Sequence, residues 1–183
     1  MKILKRILQP LVPDKCYLCG NPIIGSVYVD WAGHKVCSSH TKIPTCISCH
    51  QFCNNQAIDL GTGALLCIHC QNHNMEKQEC KHVVGFIMKV FNDYEIGEIH
   101  HWLLQAISAQ AFLQKTGNPK AKGLAEQNGS EYTIYAYRQL SKVQFARTLA
   151  HEMLHIWHYQ RKINADNVRS EGFCELGSYL VLS

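Results

Sequence analysis

Apolar and polar positions alternate in three different ways along this chain. From residue 13 to about 70, apolar residues come in short runs broken by cysteines and glycines. Ser26-Val27-Tyr28-Val29 and Ala64-Leu65-Leu66 suit short strands, and Gly25, Gly33, Gly61 and Gly63 supply the turns. Gln71 to Glu79 is polar and aperiodic, which predicts a linker. Longer elements follow. Val83 to Phe91 is apolar and β-branched at Val83, Val84, Ile87 and Val90, which predicts a strand. Glu98 to Gln114 sets Ile99, Trp102, Leu103, Ala106, Ala109 and Leu113 on one side of a predicted helix that Gly117-Asn118-Pro119 ends. Lys120 to Ser130 reads as a loop, and Glu131 to Tyr137 as a strand by composition.

The clearest helical period comes next. Val143, Ala146, Leu149, Ala150, Met153, Leu154 and Trp157 form an apolar face. Ser141 and Gln144 make an S-x-x-Q capping pattern at its start, and Gln160-Arg161-Lys162 suits its C-terminal end. A last helix is predicted from near Glu171 to Leu182.

Composition narrows the class. Hydrophobic content of 46% over 183 residues is that of a globular protein with one medium or two small domains. The pattern divides it into a tail over 1–12, a cysteine module over 13–70, a linker over 71–79 and a larger domain over 80–183. No apolar run is long enough to span a membrane. Lys5, Arg6 and Pro10 interrupt the aliphatic start, which is too short and too charged for a signal-peptide core, so a cytoplasmic location is expected.

Ten cysteines in a chain expected to be cytoplasmic point to metal rather than disulfides. Cys16-x-x-Cys19 and Cys37-x-x-His40 are separated by 17 residues, and so are Cys46-x-x-Cys49 and Cys67-x-x-Cys70. Each set supplies four ligands, enough to close one tetrahedral zinc and leave no open position. Both sites are therefore structural, one built from Cys16, Cys19, Cys37 and His40, the other from Cys46, Cys49, Cys67 and Cys70. His34 with Cys37 offers a competing H-x-x-C pair. Cys80 and Cys174 are left over and read as buried thiols. Two zinc ions on seven thiolates lower the formal charge of +4 to about +1. No Lys/Arg cluster appears, so nucleic acid is not expected as a partner.

Inside the periodic helix lies Leu149-Ala150-His151-Glu152-Met153-Leu154-His155-Ile156-Trp157. Residues four apart share a helix face, so His151 and His155 can present two imidazoles to one metal, with Glu152 beside them. That is the pattern of a zinc hydrolase in which zinc acidifies a water and Glu152 takes its proton. A catalytic zinc needs a third ligand. The position six residues after His155 is Arg161, which excludes one common arrangement. Glu171 is the chosen ligand, with Asp166 and Glu175 as alternatives. Tyr135, Tyr137, His158 and Tyr179 are candidate oxyanion donors, with His158 also able to support the metal ligands or contact substrate, and Glu175 a candidate partner to a histidine. The strand Glu131 to Tyr137, just before the metal helix, is expected to hold substrate by strand addition.

Taken together, the paired Cys module from Cys16 to Cys70, the H-E-x-x-H segment and Glu171-Gly172-Phe173-Cys174 resemble the LIM-type, ubiquitin-activated zinc peptidases that limit organ growth in plants, and more closely their short bacterial relatives. The resemblance covers most of the chain. It implies an α+β fold, a LIM-like double zinc module followed by a gluzincin-like metallopeptidase core. It implies one catalytic zinc on His151, His155 and Glu171, two structural zinc ions, a protein or peptide substrate, and a module that can recruit protein partners. The chain departs from the family in three ways. Its first site has Cys then His where a LIM module has His then Cys, and five residues separate His40 from Cys46. It also lacks an acidic ubiquitin-interacting helix. The rival expectation is a non-catalytic LIM-like adaptor with an inactive peptidase half.

Overall fold

The computed structural model describes residues 13–61 and 63–183; the N-terminal tail over 1–12 lies outside the described residues. The architecture is mixed α/β, with two small cysteine-rich hairpins leading into a three-stranded sheet wrapped by helices. The first hairpin pairs β1 (Val27–Val29) with β2 (Lys35–Cys37). The second pairs β3 (Ile58–Asp59) with β4 (Leu65–Leu66), and a short α1 (Ile68–Asn72) follows.

Residues 83–91 are helical, not extended: they belong to α2 (Lys77–Asp93). The β-branched residues there favour strand only weakly, and the burial of Cys80, Ile87 and Phe91 follows helical spacing. A reciprocal capping box between Glu76 and Glu79 fixes the start. Residues 98–114 also differ from expectation. They form β5 (Trp102–Ile107) and then α3 (Ala109–Thr116), whose start Ser108 caps and whose end Gly117 closes in a left-handed conformation. The expected loop over 120–130 contains β6 (Gly123–Asn128), and β7 (Glu131–Tyr137) follows as anticipated.

The sheet order is β5-β7-β6, with β5 parallel and β6 antiparallel to β7. β7 is thus the central strand, hydrogen-bonded on both sides. Its two faces serve different layers, as the period of two requires. Tyr137 meets Phe112 of α3 edge-on at 4.6 Å, and Tyr135 lies under Lys115 of the same helix. Tyr132, Ile134 and Ala136 occupy the opposite face, where Tyr132 stacks toward Tyr159 of α4 (Lys142–Gln160). Ser141 caps α4 by accepting from the Gln144 N–H.

α5 (Asn167–Leu180) crosses α4 closely. A Cβ on Gly177 would lie 1.9 Å from Leu154 Cδ1, and Leu154 is fully buried. Gly177→Ala is therefore expected to force the two helices apart at a cost of about 1–3 kcal/mol, read as a lower thermal midpoint.

The cysteine region and the sheet share one core. Cys46, Leu60, Leu66, Cys67 and Met75 are buried in the same cluster as Phe91, Phe112 and Leu149. The expected linker is short and tied down, since the buried Met75 donates its N–H to the Arg138 carbonyl. The buried Ser48 hydroxyl likewise donates to the Gln139 carbonyl. The first hairpin stands apart from this core. Asp30 joins it to the second unit by accepting from the Phe52 N–H, and Trp31 Nε1 donates to the Cys49 carbonyl. No helix among the described residues is long and apolar enough to cross a membrane.

Candidate metal centre and cleft

The two four-residue clusters form as the spacing suggested. The donor atoms of Cys16, Cys19, Cys37 and His40 all lie within 4.8 Å of one another, and those of Cys46, Cys49, Cys67 and Cys70 do the same. Tetrahedral zinc with Zn–S near 2.3 Å and Zn–N near 2.05 Å needs S–S edges of about 3.8 Å and S–N edges of about 3.5 Å. Cys19 and Cys37 sulfurs are 3.9 Å apart, Cys49 and Cys67 sulfurs 3.6 Å, and Cys16 Sγ is 3.4 Å from His40 Nε2. Both clusters therefore have the donors and the dimensions for zinc. His34 is not among these ligands. Its Nδ1 pairs with Asp30 Oδ2 at 2.8 Å and its ring stacks on Tyr17.

A third constellation lies between α4 and α5. His151 and His155 stand one turn apart on α4, and their Nε2 atoms are 3.1 Å apart. Glu171 comes across from α5, with Oε2 at 3.2 Å from His151 Nε2 and Oε1 at 3.5 Å from His155 Nε2. Zinc ligands with bonds near 2.05 Å lie about 3.3 Å apart, and each of these donor separations is near that value, with Glu171 offering one oxygen to each imidazole. Asp166 is not a ligand, because it caps α5 by accepting from the Arg169 N–H. That cap starts α5 before Glu171, which stands in the second turn rather than the first.

Glu175 follows one turn after Glu171. Its Oε2 lies 3.4 Å from His151 Nδ1, and its other oxygen takes Arg147, whose guanidinium covers the Tyr179 ring. Glu175 is thus the carboxylate that orients His151. Tyr179 faces Arg147. Tyr135 and Tyr137 point into the α3 layer, and the Tyr137 hydroxyl donates to the Ala121 carbonyl. His158 is buried, with Nδ1 at 3.0 Å from Ser170 Oγ and its ring against Phe173. It braces α4 against α5. Of the oxyanion candidates read from the sequence, Tyr135, Tyr137, His158 and Tyr179 are all absent from the cleft lining.

The cleft itself has a volume of about 640 Å³, and His151, Glu152, His155, Tyr159 and Glu171 line it. Burial pushes the Glu152 carboxyl up to about 8, with the Glu171 charge adding to the rise and the Ala125 N–H opposing it. Tyr159 was not singled out from sequence. Its ring lies nearly parallel to that of His155, and burial followed by the charge of Glu152 raises its pKa. The signal was present: Tyr159 is four residues after His155, as His155 is four after His151. Lys122 and Gly123 line the opposite wall at the start of β6. Lys122 Nζ donates to His50 Nε2 at 2.8 Å, which ties the cleft to the loop of the second cysteine cluster.

Gly123 has a steric reason to be glycine. A Cβ there would lie 2.6 Å from Glu152 Cγ and 2.7 Å from both Glu152 Oε1 and Thr148 Cγ2. Gly123→Ala is expected to displace Glu152 while leaving His151, His155 and Glu171 in place. Zinc per chain should therefore match that of the parent protein.

No family model, curated protein or solved structure matches the chain.

Proposed function

We propose that this chain is a zinc-dependent peptidase, with its metal held by His151, His155 and Glu171 and two further zinc ions in the cysteine clusters. The observation that carries this reading is the convergence of His151 and His155, 3.1 Å apart at Nε2, with the two oxygens of Glu171 at 3.2 and 3.5 Å from them, in an open cleft that Glu152 also lines. The donors fit zinc: two imidazoles and one carboxylate, with room left for a fourth position. When bound, zinc supplies an acidified water and polarises a carbonyl.

The chain's own residues supply the rest. Glu152 accepts the proton of the attacking water and delivers it to the leaving amine. Glu175 holds the His151 ring through Nδ1. Tyr159 is the hydroxyl donor best placed for the developing oxyanion, since it lines the cleft beside His155. β6 replaces β7 as the strand that aligns substrate. β7 has both edges paired, whereas β6 is a terminal strand whose residues Gly123 to Ala125 line the cleft.

The resemblance to the LIM-type zinc peptidases supports this assignment, because the same three residues are the ligands it implies. In this reading the cysteine clusters form a LIM-like module and the remainder a gluzincin-like core. The substrate class is protein or extended peptide, as an open strand edge prefers. The test is a peptide-library digest with the full chain and with His155→Ala, with zinc counted in both. Wild type should hold about three zinc ions and cleave; the variant should hold about two and not cleave. A zinc-replete wild type that cleaves nothing would leave the adaptor reading instead.

A further inference from the structure

The metal triangle has a neighbour that the peptidase reading does not use. The donor atoms of His151, His155 and Cys174 also lie within 4.8 Å of one another. Cys174 is fully buried, unlike the half-exposed Glu171 side chain. Its thiol makes no hydrogen bond among the described residues, and it is a free cysteine. It follows Glu171 by three residues on α5, so both side chains project toward α4 from adjacent turns. The same imidazole pair therefore belongs to two triads, one completed by a hard, half-exposed carboxylate and one by a soft, buried thiol.

We propose that Cys174 is an alternative third ligand, which keeps the metal on His151 and His155 when Glu171 is withdrawn from it. The inference rests on the metal site of the peptidase reading. The donors lie within 4.8 Å of one another and an S–N edge of about 3.5 Å is needed for ligation, so the thiol has at most about 1.3 Å to close, within the reach of a χ1 adjustment. Ligation converts the thiol to a thiolate and releases its proton to solvent. The Zn–S bond formed replaces the Zn–O bond to Glu171, so the ligand count is unchanged and nothing is oxidised or reduced. Glu171 can then swing into the cleft, where its side chain is 53% exposed, without release of the ion. Were both to bind at once, four protein ligands would fill the coordination sphere and leave no place for water.

The experiment uses four forms of the full chain: wild type, Glu171→Ala, Cys174→Ala and the double variant. Zinc per chain is measured after dialysis against a weak chelator. The expected counts are about three in each of the first three and about two in the double variant. Cobalt(II) is then added to Glu171→Ala protein that has been stripped to two zinc ions. It should give an intense thiolate-to-cobalt charge-transfer band that the double variant lacks.

A fall of Glu171→Ala to two, with wild type at three, overturns the proposal and leaves the peptidase metal site standing. So does a cobalt spectrum without the thiolate band, a reading that needs no change at the buried Cys174. A fall of Cys174→Ala to two would make the thiol obligatory rather than alternative and would also overturn it. Wild type at two, unchanged by His155→Ala, removes the metal site and the proposal with it.

Discussion

Glu152→Gln protein is expected to keep its full complement of zinc and to lose peptide cleavage by about 10²- to 10⁴-fold. The substitution is nearly isosteric, which matters because the space is tight: the Glu152 side chain lies so close to Gly123 that not even a Cβ would fit there. It removes the proton acceptor and leaves the triangle of His151, His155 and Glu171 untouched. The loss should fall on kcat, since an amide cannot accept the water's proton in the transition state. Zinc analysis alongside kcat checks both halves. Full activity in this variant would end the assignment of Glu152, and loss of zinc would mean that the side chain holds the site together instead.

The second large effect is a difference between the two cysteine clusters. Cys46→Ser or Cys67→Ser is expected to unfold the cleft along with the cluster. Cys19→Ser is expected to unravel only the first hairpin. Zinc in small folded modules contributes about 10–16 kcal/mol, which rivals or exceeds the whole stability of a domain, about 5–15 kcal/mol. What matters is where that energy is spent. Cys46 and Cys67 are buried in the same cluster as Phe91, Phe112 and Leu149. His50, in the loop between Cys49 and Cys67, reaches Lys122 on the cleft wall. Cys16 and Val36 are buried too, but outside that cluster, and β1 is exposed along its length. Thermal unfolding followed by far-UV circular dichroism separates the cases. A native-like transition in Cys46→Ser protein would show that the sheet and helices stand without the second cluster.

The residues that gather in the clusters and the cleft were largely legible in the sequence. Spacing is a short-range property, so His151, Glu152 and His155 on one helix, or two donor pairs separated by 17 residues, announce themselves. The Ser141 cap and the strand over 131–137 were legible for the same reason. Elements that depend on distant partners were not. β6 is polar and has no alternation; it is a strand because β7 offers it a ladder. Trp102 to Ile107 carries leucine and alanine, good helix formers, and is extended because it pairs in parallel with β7. Val83 to Phe91 errs the other way. Its β-branched composition suggested a strand, while the burial spacing and the Glu76–Glu79 capping box favour a helix. The strand beside the cleft was misassigned because chain adjacency was taken for spatial adjacency. β7 precedes α4 in sequence, yet β6 is the strand at the open edge. The oxyanion tyrosines failed on parity. Tyr135 and Tyr137 share the face of β7 that α3 covers, and no local pattern says which face that is.

The tenuous junction at Asp30 and Trp31 also gives the molecule an optical signature. The chain has three tryptophans, and they divide by unit. Trp102 and Trp157 are partly buried against the core, and the Trp157 indole donates to the Ile96 carbonyl. Trp31 is 71% exposed and touches the second cluster through its indole N–H. Its emission belongs at the long-wavelength end, where water relaxes around the excited indole. A quencher in solution reaches it first. The fluorescence of this protein is therefore two signals rather than one. The red, quenchable part reports whether the first hairpin is clasped to its neighbour, and the blue part reports the sheet and α4.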